Sequence, residues 1–108
     1  MKLILAIVNN DDSALASAAL TEAGFTVTRL STTGGFLMVG NTTFLIGTDD
    51  EDAERAIGIL KMHCKQRKQV NSSTASFGVG MKHMGTPEKV TVGGATIFVL
   101  DVDHMEKI

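Results

Sequence analysis

The sequence predicts one α+β domain in which two helices cover one face of an antiparallel β-sheet. The chain of 108 residues is long enough for a single hydrophobic core and short for two domains. The strands expected to form the sheet and two helix-like segments follow one another in the order βαββαβ. Two successive βαβ units of this kind are typical of the ferredoxin-like arrangement. We therefore predict a single ferredoxin-like domain over residues 1–108, with a long loop insertion at about residues 67–88 before the last strand.

In the first half of the chain, two strands flank a helix. The apolar run Leu3–Val8 lies between turn-forming residues, which is typical of a strand covered on both faces. Residues 13–23 are rich in alanine and leucine, which favour a helix, and Gly24 suits the position after a helix C-terminus. Alternation with β-branched residues over Phe25–Ser31 predicts the second strand.

The middle of the chain predicts a third strand and a second helix. Strand-like sequence resumes at residues 36–39 and at 42–47, on either side of Gly40, and a glycine inside a strand indicates a bulge or a close backbone approach. Thr48 followed three residues later by Glu51 matches a helix capping box. The predicted helix then carries apolar residues at helical spacing, namely Ala53, Ile57, Leu60 and Cys64.

The last third of the chain begins with a segment that lacks a regular period. Residues 67–88 include several glycines and the single proline, Pro87, and a long irregular segment in a small domain is usually functional or disordered. Two strand-like segments follow, residues 89–92 and residues 95–100, separated by Gly93–Gly94. The last of these completes the predicted sheet.

The strand composition also predicts an oligomer. Two helices cover only one face of a four-stranded sheet, yet Leu3–Val8 and Ile97–Leu100 are apolar at successive positions, so both faces need burial. A second copy of the chain against the open face is the simplest way to bury it.

Composition and charge exclude several classes of protein. The net charge of −2 gives no general attraction to nucleic acid or to an anionic membrane, so we expect neither as a partner. The apolar N-terminal run ends at Asn9, too early for the core of a signal peptide. Cys64 is the one cysteine and cannot form an internal disulfide, which fits a reducing compartment. These observations predict a cytoplasmic protein.

Catalytic and metal-binding patterns are weak in this sequence. His63 and Cys64 are neighbours on the predicted helix and therefore point in different directions. The three histidines and the single cysteine lack the spacing of a metal site. We predict no catalytic residues, no metal site and no enzymatic activity, with a small hydrolase that uses His63 or His83 as the less favoured alternative.

The segment after the second strand carries the strongest signal for ligand binding. Gly34 and Gly35 let backbone N–H groups turn toward an anion, and Arg29 supplies charge nearby. Phe36 offers a flat apolar surface for a base, and the Asn41 carboxamide can both donate to and accept from a base edge. An ordinary hairpin connection followed by a bulge is the alternative interpretation of the same residues.

This segment resembles a known family. Thr32-Thr33-Gly34-Gly35-Phe36-Leu37, followed by Gly40-Asn41-Thr42-Thr43-Phe44-Leu45 and by Gly47, closely resembles the PII-like cyclic di-AMP receptor proteins of Gram-positive bacteria. The first strand, residues 2–8, and the last strand with its glycines, residues 92–100, are similar too. The resemblance covers the chain outside the loop insertion.

The resemblance implies a PII-like signal transduction protein without catalytic chemistry and without a cofactor. Proteins of this family form ferredoxin-like homotrimers and bind cyclic di-AMP in the clefts between subunits. Two loops, one after the second strand and a longer one before the last strand, pass the signal to a downstream protein that the sequence does not identify.

The resemblance also assigns the ligand-binding residues. Phe36 and Leu37 would pack on adenine, while Thr28, Asn41 and backbone groups would hydrogen-bond to base or phosphate. The residues that match the family site are Thr28, Gly35, Phe36, Leu37, Asn41 and Gly47.

The sequence departs from the family pattern at three places. Thr26 stands where the family usually has an arginine near the ligand, and loss of such a contact weakens binding by about tenfold to a hundredfold. The insertion reads Ser-Phe-Gly-Val-Gly-Met at residues 76–81, where the family is rich in proline and tyrosine. The tail, residues 104–108, lacks the family's aromatic and glutamine residues. The alternative function is therefore a PII-like trimer that binds another adenine nucleotide or no nucleotide.

Overall fold

The structure, a computed structural model, describes residues 1–31, 40–70 and 89–108. The predicted α+β fold is confirmed. In chain order the elements are β1 (Lys2–Asn9), α1 (Asn10–Glu22), β2 (Val27–Ser31), β3 (Asn41–Thr48), α2 (Ala53–His63), β4 (Arg67–Val70), β5 (Lys89–Val92) and β6 (Ala95–Asp101).

A four-stranded antiparallel sheet forms the body of the domain. Its strand order is β2-β3-β1-β6, so the first and third strands lie in the centre and the hairpin partners β2 and β3 are adjacent. The two helices pack against the same face. This topology confirms the predicted ferredoxin-like arrangement.

The core lies between this sheet and the helices. In β1, alternate side chains Ile4, Ala6 and Val8 are fully buried because they face the helices. Leu20 of α1 and Leu60 of α2 cover them and are fully buried as well. The apolar spacing that predicted α2 therefore marks its buried stripe, which ends at Cys64.

The helix starts differ from the sequence prediction. Helix α1 begins three residues earlier than expected, because the Asn9 side chain accepts a hydrogen bond of 2.8 Å from the backbone N–H of Asp11 and caps the helix. The capping box predicted at Thr48 was wrong. Thr48 pairs with Lys2 as the last residue of β3, and α2 starts only at Ala53 after a 3-10 turn.

The predicted loop insertion begins with a strand that the sequence analysis did not anticipate. Strand β4 pairs with β5 from Arg67–Val92 to Val70–Lys89, and the two form a ribbon separate from the four-stranded sheet. Residues 71–88, between them, lie outside the described residues, as do residues 32–39, which include the strand expected at 36–39. Across the described ranges, no helix has the length and apolar character needed to cross a bilayer.

Candidate ligand site

Three of the predicted ligand-binding residues share one face of the sheet. Asn41 and Gly47 alternate with buried residues along β3, and Thr28 pairs with Leu45 on the same side. This face is the one opposite the helices, since the buried side of β3 carries Phe44 and Ile46. Gly35, Phe36 and Leu37 lie outside the described residues.

Within this chain these residues form two groups. Thr28 lies opposite Leu45, which is two residues from Gly47 on the same face of β3. Asn41 lies four residues before Leu45, about 13 Å away at 3.3 Å per residue. Two part-sites therefore lie at opposite ends of β3: a Gly47 end and an Asn41 end.

The Gly47 end opens into a cavity of about 240 Å³. Its walls include Thr26, where the family arginine is missing, and Arg55 of α2, which the sequence analysis did not select. The Arg55 guanidinium lies 4.5 Å from the centre of the Phe25 ring and donates a 3.0 Å hydrogen bond to the Ala23 carbonyl. A cation is thus present at this end of the sheet, supplied from a helix.

Carboxylates share the Gly47 cavity with that cation. Asp49 and Asp52 line it, and Asp52 lies 3.6 Å from Arg55. Beside it, the N-terminal ammonium lies 2.8 Å from Asp50, and this hydrogen bond lowers the pKa of the Asp50 carboxyl group. The charges around this cavity are therefore mixed.

The Asn41 end opens into a polar cavity of about 400 Å³. We call it the Asn41 cavity; its lining residues are Ile7, Asn41, Gln66, Gly93, Gly94, Ala95 and Thr96. Gly93 and Gly94 have φ angles of +81° and +87°, which allow the tight reversal from β5 to β6. The sequence indicated this turn as a strand break but gave no signal that its backbone lines a cavity.

A buried hydroxyl lies on the same sheet face. Thr43 comes two residues after Asn41 and is only 2% exposed. Its Oγ1 atom has no hydrogen-bond partner in the described part of the chain. A buried hydroxyl group without a hydrogen bond lowers the free energy of unfolding. Thr43 pairs with Ile7, which lines the Asn41 cavity.

The first turn of α1 holds Gly40 and Thr42 at the entry into β3. The backbone N–H of Asn10 donates a 2.8 Å hydrogen bond to the Gly40 carbonyl. The Thr42 hydroxyl donates to the Asn10 carboxamide oxygen at 2.5 Å, and the Ser13 hydroxyl donates to the Asn10 carbonyl at 2.9 Å. Asn10 therefore fixes the entry into β3 immediately beside Asn41.

The same helix turn holds the base of the β4–β5 ribbon. The Arg67 guanidinium donates to both carboxylate oxygens of Asp12, at 3.0 and 3.3 Å, and to the Lys65 carbonyl at 3.1 Å. The contacts with Asp12 raise the pKa of Arg67, with the side-chain hydrogen bond as the main cause. The entry into β3 and the base of the β4–β5 ribbon are thus both anchored on one turn of α1.

An apolar cavity of about 380 Å³ lies on the other side of Gln66. Leu60, Cys64 and Ile97 line it, with Lys61 and Lys65 at its rim. Burial raises the pKa of the Cys64 thiol, so the thiol is protonated near neutral pH and is a poor nucleophile. No group of three metal-ligating side chains occurs among the described residues.

Fold and candidate site together define a small α+β domain with three predicted ligand-binding residues on a sheet face that its own helices leave uncovered. The chain belongs to the cyclic-di-AMP receptor family, whose profile matches residues 1–108. It is also similar to a crystal structure of a functionally unknown protein from Pediococcus pentosaceus, at 37% sequence identity and a TM-score of 0.77. That match covers 99% of this chain and 96% of the other.

Proposed function

We propose that this protein is a PII-like signal receptor that binds cyclic di-AMP in the clefts between the subunits of a homotrimer. The observation that carries the proposal is the common placement of Thr28, Asn41 and Gly47 on the sheet face opposite the helices. The family profile over the whole chain supports cyclic di-AMP as the ligand. Binding, rather than turnover, is the proposed activity.

Exposed apolar side chains support assembly through this face. Phe98 and Leu100 of β6 are 52% and 47% exposed, and they pair with Leu5 and Leu3 of β1 in the sheet. Side chains of this size on one sheet face form a patch that is usually covered by another chain. A neighbouring subunit is the proposed cover.

The two separated part-sites also support binding between subunits. Cyclic di-AMP carries two purines and two phosphates, so its site needs hydrogen-bonding groups and apolar surfaces at more than one point. In one subunit the Gly47 end and the Asn41 end lie about 13 Å or more apart along β3. A cleft in which one subunit contributes its Gly47 end and the next contributes its Asn41 end would bring the two together.

The anchoring of two segments on α1 supports signalling by loop rearrangement. Asn10 holds Gly40, which follows residues 32–39 in the sequence, and Asp12 holds the ribbon whose strands flank residues 71–88 in the sequence. A ligand in the Asn41 cavity would contact Asn41 and Gln66, which lie next to these attachments in the chain, and would favour one arrangement of the two loops over others. The rearranged surface would then be recognised by a downstream protein.

The alternative ligand is another adenine nucleotide, or none. The charges in the cavity at the Gly47 end favour this alternative. Thr26 supplies no charge there, and the carboxylates of Asp49 and Asp52 would repel a dianionic ligand. A mononucleotide that occupies only the Asn41 end would avoid these carboxylates.

Calorimetric titration of the purified protein tests the proposal. We expect saturable heat with cyclic di-AMP and a rise in Tm, since ligand at a hundred times its Kd adds about 2.7 kcal/mol to the free energy of unfolding. Cyclic di-GMP, ATP and AMP are the matched controls. Absence of heat and of a Tm rise with cyclic di-AMP at high micromolar concentration would contradict the proposal, and a preference for ATP or AMP would favour the alternative.

A further inference from the structure

We propose that Gln66 determines base specificity in the Asn41 cavity by pairing its carboxamide with the edge of an adenine. The inference rests on the proposed function, because it names a residue and a selectivity for that same site. Gln66 lies between α2 and β4 and did not stand out in the sequence.

Packing against Gly94 fixes the stem of Gln66. A Cβ atom added to Gly94 would lie 3.6 Å from Gln66 Cβ and 3.8 Å from its Cγ, so the glutamine stem runs across the bare glycine backbone. The same side chain lines the Asn41 cavity and the apolar cavity beside Leu60 and Ile97. Gln66 therefore lies between an apolar cavity and a polar one, together with Gly94 and Ala95.

Both chain neighbours of Gln66 are held in place. The Arg67 side chain bonds to Asp12 of α1 and to the Lys65 carbonyl. These contacts restrain the backbone before and after Gln66 without using its carboxamide. A recognition group on a restrained backbone loses less conformational freedom when the ligand binds.

The carboxamide of Gln66 is available to a ligand. The residue is exposed, and its side chain has no hydrogen-bond partner within residues 1–31, 40–70 and 89–108. Gln66 also lines the cavity that Asn41 and Thr96 line. The lining of this cavity therefore includes two residues with carboxamide groups and one residue with a hydroxyl group.

The chemistry of a carboxamide selects adenine over guanine. Adenine presents an N6 amino donor beside the N7 acceptor, which matches the acceptor and donor of one carboxamide. Guanine presents two acceptors, O6 and N7, on the corresponding edge, so one carboxamide group cannot satisfy both atoms. Gln66 would thus favour cyclic di-AMP over cyclic di-GMP.

The test compares Gln66→Met with the wild type by titration with each dinucleotide. Methionine keeps the length and apolar stem of the side chain and removes both hydrogen bonds. We expect the Kd for cyclic di-AMP to rise about tenfold, which is the lower part of the range for a bidentate base contact. The ratio of the Kd for cyclic di-GMP to the Kd for cyclic di-AMP should fall by the same factor. Thr21→Val, an isosteric change of an exposed residue away from both cavities, should leave the ratio unchanged.

Three results separate the inference from the function on which it rests. An unchanged Kd ratio in Gln66→Met, with wild-type binding of cyclic di-AMP intact and the same Tm without ligand, would overturn the role of Gln66 alone. If the wild type does not bind cyclic di-AMP, the proposed function and the inference both fail. Gln66→Glu keeps a hydrogen-bond acceptor but loses the donor and adds a negative charge. We therefore expect this variant to weaken cyclic di-AMP binding more than Gln66→Met does. A Kd of Gln66→Glu for cyclic di-AMP equal to that of the wild type would also overturn the inference.

Discussion

The guanidinium of Arg67 and the carboxylate of Asp12 form a two-point ion pair across 55 positions of the chain, with N···O distances of 3.0 and 3.3 Å. Asp12 is only 7% exposed, whereas about half of the Arg67 side chain is accessible to solvent. The pair joins the β4–β5 ribbon to the first turn of α1. Through this ion pair, the first turn of α1 orients the ribbon beside the Asn41 cavity.

Replacement of Asp12 by asparagine should destabilise the fold and loosen the ribbon. The amide keeps the shape of the carboxylate but leaves Arg67 without its charged acceptor. We expect the Tm of Asp12→Asn to fall by about 4–8 °C, with faster hydrogen exchange at residues 67–70. Asp103→Asn, at an exposed position in the tail, is the control. Equal Tm values and exchange rates for Asp12→Asn and the control would contradict the anchoring of the ribbon by the Asp12–Arg67 ion pair.

Three glycine-to-alanine variants should differ in their free energy of unfolding. Gly58→Ala should be the most stable, Gly94→Ala less stable and Gly93→Ala the least stable. At Gly93 an added Cβ would lie 2.5 Å from Arg67 Nη1 and 2.7 Å from the Lys65 carbonyl oxygen, and φ is +81°. At Gly94 φ is +87° but the nearest atom is 3.6 Å away. Gly93→Ala combines steric overlap with backbone strain, whereas Gly94→Ala adds strain alone, about 1–2 kcal/mol.

Gly58→Ala is the matched control for this series. Gly58 lies inside α2 with no atom within 4 Å of an added Cβ. Alanine there should raise the free energy of unfolding by about 0.5–1 kcal/mol. Urea unfolding measures all three, and a Gly93→Ala variant as stable as Gly94→Ala would refute the close approach of Arg67 to the turn.

Thr26→Arg should strengthen cyclic di-AMP binding. Thr26 is exposed and lines the cavity at Gly47, and an arginine there would offset the carboxylates of Asp49 and Asp52. We expect the Kd to fall about tenfold, because one charge-assisted contact is gained. Thr26→Met, which adds bulk without charge, controls for packing. If the two variants bind alike, the Gly47 end does not contact the phosphates.

Asn41→Ala should weaken ligand binding while the oligomer persists. We expect an increase in Kd of about tenfold, from the loss of a carboxamide that hydrogen-bonds to the base. Size-exclusion chromatography checks the assembly, and the Tm without ligand checks the β3 start, where Asn41 pairs with Asn9. Phe36→Ala, by family resemblance, should act in the same direction. Unchanged affinity in both variants would place the site elsewhere.

Burial of Cys64 predicts an alkaline loss of stability. The pKa of its thiol is raised in the folded state, chiefly by desolvation, so the folded protein holds this proton at pH values where the unfolded chain releases it. The free energy of unfolding should therefore be unaffected by this group below about pH 8 and fall as the pH rises past 9. Urea unfolding at pH 7.5, 9 and 10 measures the slope of the free energy of unfolding against pH. Cys64→Ala should remove part of the slope, and an identical slope in both proteins would contradict the burial effect.

Much of the fold follows from local sequence. The run Leu3–Val8 and the spacing of Leu60 and Cys64 predicted a central strand and the buried stripe of α2, because apolar period reflects burial. The start of α1 was placed too late, because Ser13 resembles a cap as strongly as Asn9 does. The capping box at Thr48 was wrong because sheet pairing with Lys2 took precedence over a local helix signal.

The site was less accessible from sequence than the fold. Period-2 alternation in β3 places Asn41 and Gly47 on one face, so their common orientation was predictable. Strand β4 was missed because the partner of Arg67 in the ribbon is Val92, far along the chain and without a tight turn signal between them. The roles of Gln66 and Asp12 depend on contacts that no local pattern records.

Native mass spectrometry of the protein with cyclic di-AMP tests the central claim most directly. If ligand binds in clefts between three subunits, the spectrum contains a trimer that carries up to three ligands, and ligand leaves when the trimer dissociates. A monomer that retains cyclic di-AMP, or a trimer that takes up none at saturating concentration, would contradict the account.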